Sequence, residues 1–157
     1  IIDKLGRSTP PRKNIFPEGR VREGTETGGL NHELCMSFSG LKTSLLHYVT
    51  HTPPACDADI AQIASDYQEA VVNAIVKRCD KALSGMKYLA VGGGVSLNSR
   101  LREKLMELCD KRKVKLLLAL PKHCGDNAAM IAGLAGMGRG ITGPEAFELD
   151  IAPSWQP

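Results

Sequence analysis

Residues 87–120 read KYLAVGGGVSLNSRLREKLMELCDKRKVKLLLAL, and this stretch decides the fold class. Its first five residues, KYLAV, form a short apolar run suited to a buried strand. That run enters Gly92-Gly93-Gly94, and a helix is expected from about Ser96. Leu97, Leu101, Leu105 and Leu108 recur at three and four residues and form the inner stripe of that helix. The basic run KRKVK at 111–115 closes it, where lysine and arginine offset the negative end of the helix dipole. A second strand is expected over 114–120, ending at Pro121. From Cys124, CGDNAAMIAGLAGMG reads as a loop followed by a helix of small residues. Strand, helix, strand, helix in this order predicts a right-handed βαβ unit within a parallel sheet.

Upstream, Ile60, Ile63, Ala64, Tyr67, Val71, Ala74 and Ile75 mark the clearest helix of the chain. Asp57 is its expected N-cap, and Ser84-Gly85 should end it at about Leu83. Gln68 and Glu69 lie mid-helix and are expected to face water. Thr52-Pro53-Pro54 breaks the chain before it. Residues 34–50, LCMSFSGLKTSLLHYVT, suggest a short strand at 34–38, a Ser-Gly turn and a helix. Residues 8–31 carry Pro10, Pro11, Pro17, Gly19, Gly24, Gly28 and Gly29 among polar residues, the punctuation of an irregular loop. Arg7, Arg12, Lys13, Arg20 and Arg22 make this region basic. A solvated surface loop is the preferred reading, and an anion-facing flap the alternative. Two strands are fewer than a covered parallel sheet needs, so the pattern is expected to be part of an α/β protein.

The 157 residues suggest one domain, or one lobe of a larger protein. With 43% hydrophobic and 24% charged residues, the chain is neither a disordered tail nor a fibrous repeat. Its longest apolar stretch, 116–120, is far too short to span a bilayer. Only 4% of residues are aromatic, so an aliphatic core is expected. A net charge of +3 neither demands nor opposes a nucleic-acid partner. Cys35, Cys56, Cys79, Cys109 and Cys124 contain no CxxC pair, which argues against a zinc ribbon. They are expected to be reduced cytoplasmic thiols packed as small core residues. The chain begins with Ile and shows no secretory leader, so a processing site or a truncation is the expected start.

Three places carry candidate chemistry. Gly92 to Gly94 follow a strand and precede a helix, a geometry that suits a phosphate or ribose or simply a tight turn. The spacing is neither GxGxxG nor a P-loop. Asp126 and Asn127 lie beyond the end of the next strand, where open α/β sheets collect ligands. Asp126 suits either a cation or a helix cap. His47 and His51 share a helix face at metal-compatible spacing, but no glutamate follows the first as in HExxH.

Four stretches, SFSGLKT at 37–43, SDYQEAVV at 65–72, VGGGVSLNSRLR at 91–102 and CGDNAAMIAG at 124–133, occur in that order. Together with Pro153-Ser154-Trp155 they resemble the TsaD family, the catalytic subunit of tRNA threonylcarbamoyladenosine synthesis, formerly called glycoprotease-like. The resemblance covers the whole chain but only the C-terminal part of the family.

The resemblance implies an actin-like, Hsp70-like and sugar-kinase (ASKHA) fold of two lobes, with this chain as most of the second and the N-terminal lobe absent. It implies a fragment of an acyltransferase, inactive alone, that moves a threonylcarbamoyl group from threonylcarbamoyl-adenylate to an adenosine next to the tRNA anticodon. A non-catalytic nucleotide-binding or scaffold module from the same lobe is the alternative. Asn98, Gly93 and Gly94 would line the adenylate site, and Asp126 would hold one divalent metal ion, Fe or Zn. The two histidine ligands are expected in the other lobe, and His47 and His51 are not equated with them. Implied partners are tRNA and TsaB-like and TsaE-like subunits, in the cytoplasm and without a membrane. The chain departs from the family pattern at Gly125, where Thr is usual, and at Gly92, which extends the usual glycine pair.

Overall fold

The computed structural model describes residues 1–21, 28–125, 128–141 and 143–148. Among the described residues, helices and strands run in the order α1 (Ile2–Gly6), α2 (Phe38–His51), α3 (Asp57–Ala82), β1 (Tyr88–Val91), α4 (Ser99–Arg112), β2 (Lys115–Leu118) and α5 (Ala128–Gly136). Short 3-10 turns lie at His32–Leu34, Gly94–Leu97, Pro121–His123 and Pro144–Phe147. β1 and β2 pair in parallel, with Tyr88 opposite Lys115 and Val91 opposite Leu118. The expected βαβ unit is therefore present, within a mixed α/β fold.

Two cores hang on α3, which is 26 residues long. The first joins Val72 and Leu83 to Leu101, Leu105, Leu108, Cys109 and Val114, with Leu89, Val91 and Leu116 of the sheet packed against it. This core is aliphatic, as the composition predicts. The second joins Phe16, Leu41 and Ala74, with Tyr48 and Tyr67 beside them. There the expectation is corrected. Phe16 meets Tyr48 and Tyr67 edge-on, each at 5.5 Å, so three of the seven aromatic residues gather in this core. Edge-on pairs of this kind add stability beyond their buried area.

The sheet has one covered face. Leu89, Val91 and Leu116 pack inward, whereas Tyr88 and Leu117 on the other face are exposed. α5 is apolar and yet exposed along its length, as at Met130, Ile131 and Leu134.

Several local expectations are corrected. No strand forms at 34–38: Asn31 caps a 3-10 turn by accepting from the Glu33 N–H, and the chain enters α2 at Phe38. Asp57 is the first residue of α3 rather than its cap. Cys56 is the N-cap and makes no side-chain capping bond, while Asp59 Oδ2 accepts from the Ala55 N–H at 2.9 Å, ahead of the helix. α4 begins at Ser99 instead of near Ser96, because Asn98 caps it and 94–97 form a tighter turn. Leu97 consequently lies outside the helix and is exposed.

The irregular segment near the N-terminus is pinned to α3. Arg78 donates to the carbonyls of Glu18, Gly19 and Cys35, clamping both sides of the segment. Among the cysteines, Cys109 and Cys124 are buried, Cys35 and Cys79 half-buried and Cys56 exposed, all as free thiols. Burial pushes the thiols of Cys79 and Cys109 up from their ordinary range.

Candidate functional site

The glycine turn lies at the carboxyl end of β1. Gly93 has φ of 85° and begins the 3-10 turn. A side chain there would be strained, since this region favours glycine. A Cβ on Gly93 would meet no heavy atom within 4 Å, so the turn faces open space. Gly94 approaches the next loop, where a Cβ would lie 3.8 Å from the Cys124 carbonyl oxygen.

Ser96 fastens the two loops. Its hydroxyl donates to the Gly93 carbonyl at 2.7 Å and lies 3.3 Å from Cys124 Sγ. The Cys124 thiol also reaches the carbonyls of Ala119 and Leu120. Arg102 Nε donates to the Ser96 carbonyl at 2.5 Å. Its Nη2 is buried without a hydrogen-bond partner among the described residues, leaving an unsatisfied cationic donor under the turn. The structure thus brings the glycine turn against the loop that precedes Asp126. Asp126 and Asn127 themselves lie outside the described residues, as do Pro153-Ser154-Trp155.

Asn98 occupies the junction of turn and α4. Its Oδ1 accepts from the Leu101 N–H at 2.9 Å, and its Nδ2 donates to Gln68 Oε1 at 2.8 Å. Ser99 beside it donates to Asp3 Oδ1 through both hydroxyl and N–H, which ties α1 to the same place. A cavity of about 290 Å³ adjoins this pair. Phe38, Tyr67, Val71, Val95 and Leu101 give it apolar walls, and Gln68 and Asn98 supply its amides. An apolar cleft with a few placed polar groups suits a planar heterocycle.

The expectation that Gln68 and Glu69 face water is overturned. Gln68 is 5% exposed. Burial alone would raise the Glu69 carboxyl, but hydrogen bonds from Arg100 and Lys104 outweigh it and hold the group below its ordinary range. The signal was present in the sequence. Gln68 stands four residues after Ala64 and four before Val72, inside the apolar stripe.

The basic residues divide into two groups. Arg7, Arg12 and Arg20 are paired with Asp3, Asp66 and Glu18, Lys13 has no ion pair among the described residues, and Arg22 lies outside them. Within 111–115, Arg112 pairs with Asp80 at 2.6 Å, while Lys111, Lys113 and Lys115 are exposed with no ion pair among the described residues. This second group lies at the amino end of the sheet, opposite the glycine turn. His47 and His51 stack with ring centroids 4.0 Å apart on an exposed face of α2. Among the described residues no three His, Cys, Asp or Glu side chains converge as a metal site. No helix of the described residues is long and apolar enough to cross a membrane.

Residues 3–133 match the profile of a family described as tRNA N6-adenosine threonylcarbamoyltransferase. A protein of that name from Geobacter sp. (strain M21) is 38% identical over 158 residues, covering 98% of this chain and 43% of the relative. Its counterpart from Prosthecochloris aestuarii is 35% identical, with 98% of this chain and 45% of the relative covered. That of Syntrophus aciditrophicus is 38% identical over 99% of this chain and 46% of its own length. The chain therefore spans less than half the length of these relatives.

Proposed function

The chain belongs to the tRNA N6-adenosine threonylcarbamoyltransferase family, and from that premise we propose that it is the nucleotide-holding C-terminal part of such an enzyme. In this reading it forms most of the second lobe of a two-lobe ASKHA fold. The adenosine N6 amine of a tRNA attacks the threonylcarbamoyl carbonyl carbon. The new C–N bond forms, the C–O bond to the phosphate breaks, the amine loses a proton and AMP leaves. Gly93 and Gly94 border the phosphate and ribose, and Asn98 bonds the nucleotide. The glycine turn's N–H groups and the unsatisfied Arg102 guanidinium favour the leaving phosphate.

Asp126 would supply one ligand to a divalent ion, Fe or Zn, with two histidines from the other lobe. When bound, that ion would polarise the carbonyl. Lys113 and Lys115, and Lys111 beside Asp80, are exposed and suit tRNA phosphates, in the cytoplasm and beside TsaB-like and TsaE-like subunits.

The observation that carries this reading is the cavity at Gln68 and Asn98. Three of the four sequence stretches, through Phe38, Tyr67 and Val95, contribute to its walls. The test joins this chain to the uncovered remainder of the Geobacter relative and measures modified adenosine in tRNA by mass spectrometry. The joined protein should transfer the group, the 157-residue chain alone should not, and Asp126→Ala should abolish transfer. A folded joined protein that binds tRNA but never modifies it would overturn the proposal.

A further inference from the structure

Gln68 is a polar side chain set into the apolar stripe of α3. An amide there costs stability unless it is bonded, and a leucine would fill a similar volume. Its Oε1 accepts from Asn98 Nδ2 at 2.8 Å, while Asn98 Oδ1 accepts from the Leu101 N–H at 2.9 Å. Asn98 is fixed at both ends of its amide. Reversing it would set oxygen against Gln68 Oε1 and nitrogen against the Leu101 N–H. Gly6 restricts Gln68 from the other side, since a Cβ there would lie 2.8 Å from Gln68 Nε2.

After these bonds Asn98 retains one N–H and one carbonyl lone pair. A donor with an acceptor complements adenine, which offers N6–H beside N7, whereas guanine offers two acceptors at the same edge. Gln68 and Asn98 are both at the cavity wall. We propose that Gln68 is a positioning residue that holds the Asn98 amide in the orientation selecting an adenine over a guanine nucleotide. This rests on the nucleotide reading of the cavity and adds to it the residue that sets base choice.

The experiment titrates AMP and GMP into the ¹⁵N-labelled chain and follows the Asn98 side-chain amide. The wild type should bind AMP more tightly. Gln68→Leu should weaken AMP about tenfold, the worth of one lost hydrogen bond, and leave GMP nearly unchanged. Gln68→Glu keeps an acceptor for Asn98 and should retain the preference, and Gln68→Met provides a second apolar variant if Gln68→Leu does not fold. In an Asn98→Ala background Gln68→Leu should add nothing. A folded Gln68→Leu or Gln68→Met chain with undiminished AMP preference overturns this inference alone. A wild type that binds neither nucleotide overturns the nucleotide site and the inference with it.

Discussion

Arg12 meets Asp66 through its backbone N–H to Oδ1 at 2.6 Å, its Nε to Oδ2 at 2.8 Å and its Nη2 to Oδ2 at 2.6 Å. The Asp66 side chain is fully buried, and Gln62 Nε2 also donates to its Oδ1. This bond fastens the irregular segment onto α3. Asp66→Ala should cost about 1–3 kcal/mol by leaving these donors unmet. Urea unfolding checks the loss, and proteolysis within 8–21 should accelerate. An unchanged midpoint would show that the segment's other contacts, among them Phe16, Arg78 and the Ser65 hydroxyl on the Thr9 carbonyl, hold it without this bond.

Gly19 and Gly85 separate packing from backbone strain. Gly19 has φ of 60°, and a Cβ would lie 3.0 Å from Leu41 Cδ1 and 3.2 Å from Ala74 Cβ. Gly85 has φ of 73° with nothing within 4 Å. Gly85→Ala should cost about 1 kcal/mol through strain alone. Gly19→Ala should cost more, about 2–4 kcal/mol, because overpacking is added. Equal losses in thermal unfolding would refute the packing contribution.

Lys113 occupies the left-handed region, with φ of 57° and ψ of 38°, at the C-terminus of α4. Helices commonly place glycine there. Lys113→Gly should therefore raise stability by about 1 kcal/mol. If Lys113 also meets tRNA phosphates, the same change should reduce the salt dependence of tRNA binding by the joined protein. Both are read from one protein preparation, by calorimetry and by binding at several salt concentrations.

Glu18 gives the acid response a direction. Hydrogen bonds from Lys77 and Arg20 lower its carboxyl from 4.5 to about 2. Its contribution to stability is present above the unfolded value and is lost as pH falls through the folded one. Stability should thus decline between about pH 4.5 and 2, and Glu18→Gln should make that decline shallower. Denaturation midpoints across this range decide it. A parallel pair of curves would mean the exposed pair contributes nothing measurable.

The open sheet face and α5 expose Tyr88, Leu117, Met130, Ile131 and Leu134. Parallel sheets are ordinarily covered on both faces, and apolar patches of this kind promote association. The isolated chain should sediment as a concentration-dependent mixture. A single monomeric boundary at all concentrations would contradict this.

What the sequence revealed followed from periodicity. The βαβ unit is legible because its strands are mostly apolar and its helix repeats leucine at helical spacing. Gln68 shows position overriding residue type, because the helical stripe encloses it. The start of α4 was misplaced because Asn98 competes for the backbone N–H groups that would otherwise begin the helix earlier. The absent strand at 34–38 had no partner among the described residues, and a pairing partner is a property that no local pattern contains. The aromatic cluster depends on Phe16 in an irregular segment, where periodicity has nothing to report.

α3 carries two cores that share no buried residue, one built on Val72 and one on Ala74. Neighbouring positions two residues apart point to different sides of the helix, so a single backbone serves two separate packing units. Coupling between them runs along the helix axis and across the cavity that Tyr67 and Val71 of one share with Val72 and Ile75 of the other. Local opening is therefore expected in two steps, with the middle of α3 exchanging its amide hydrogens last.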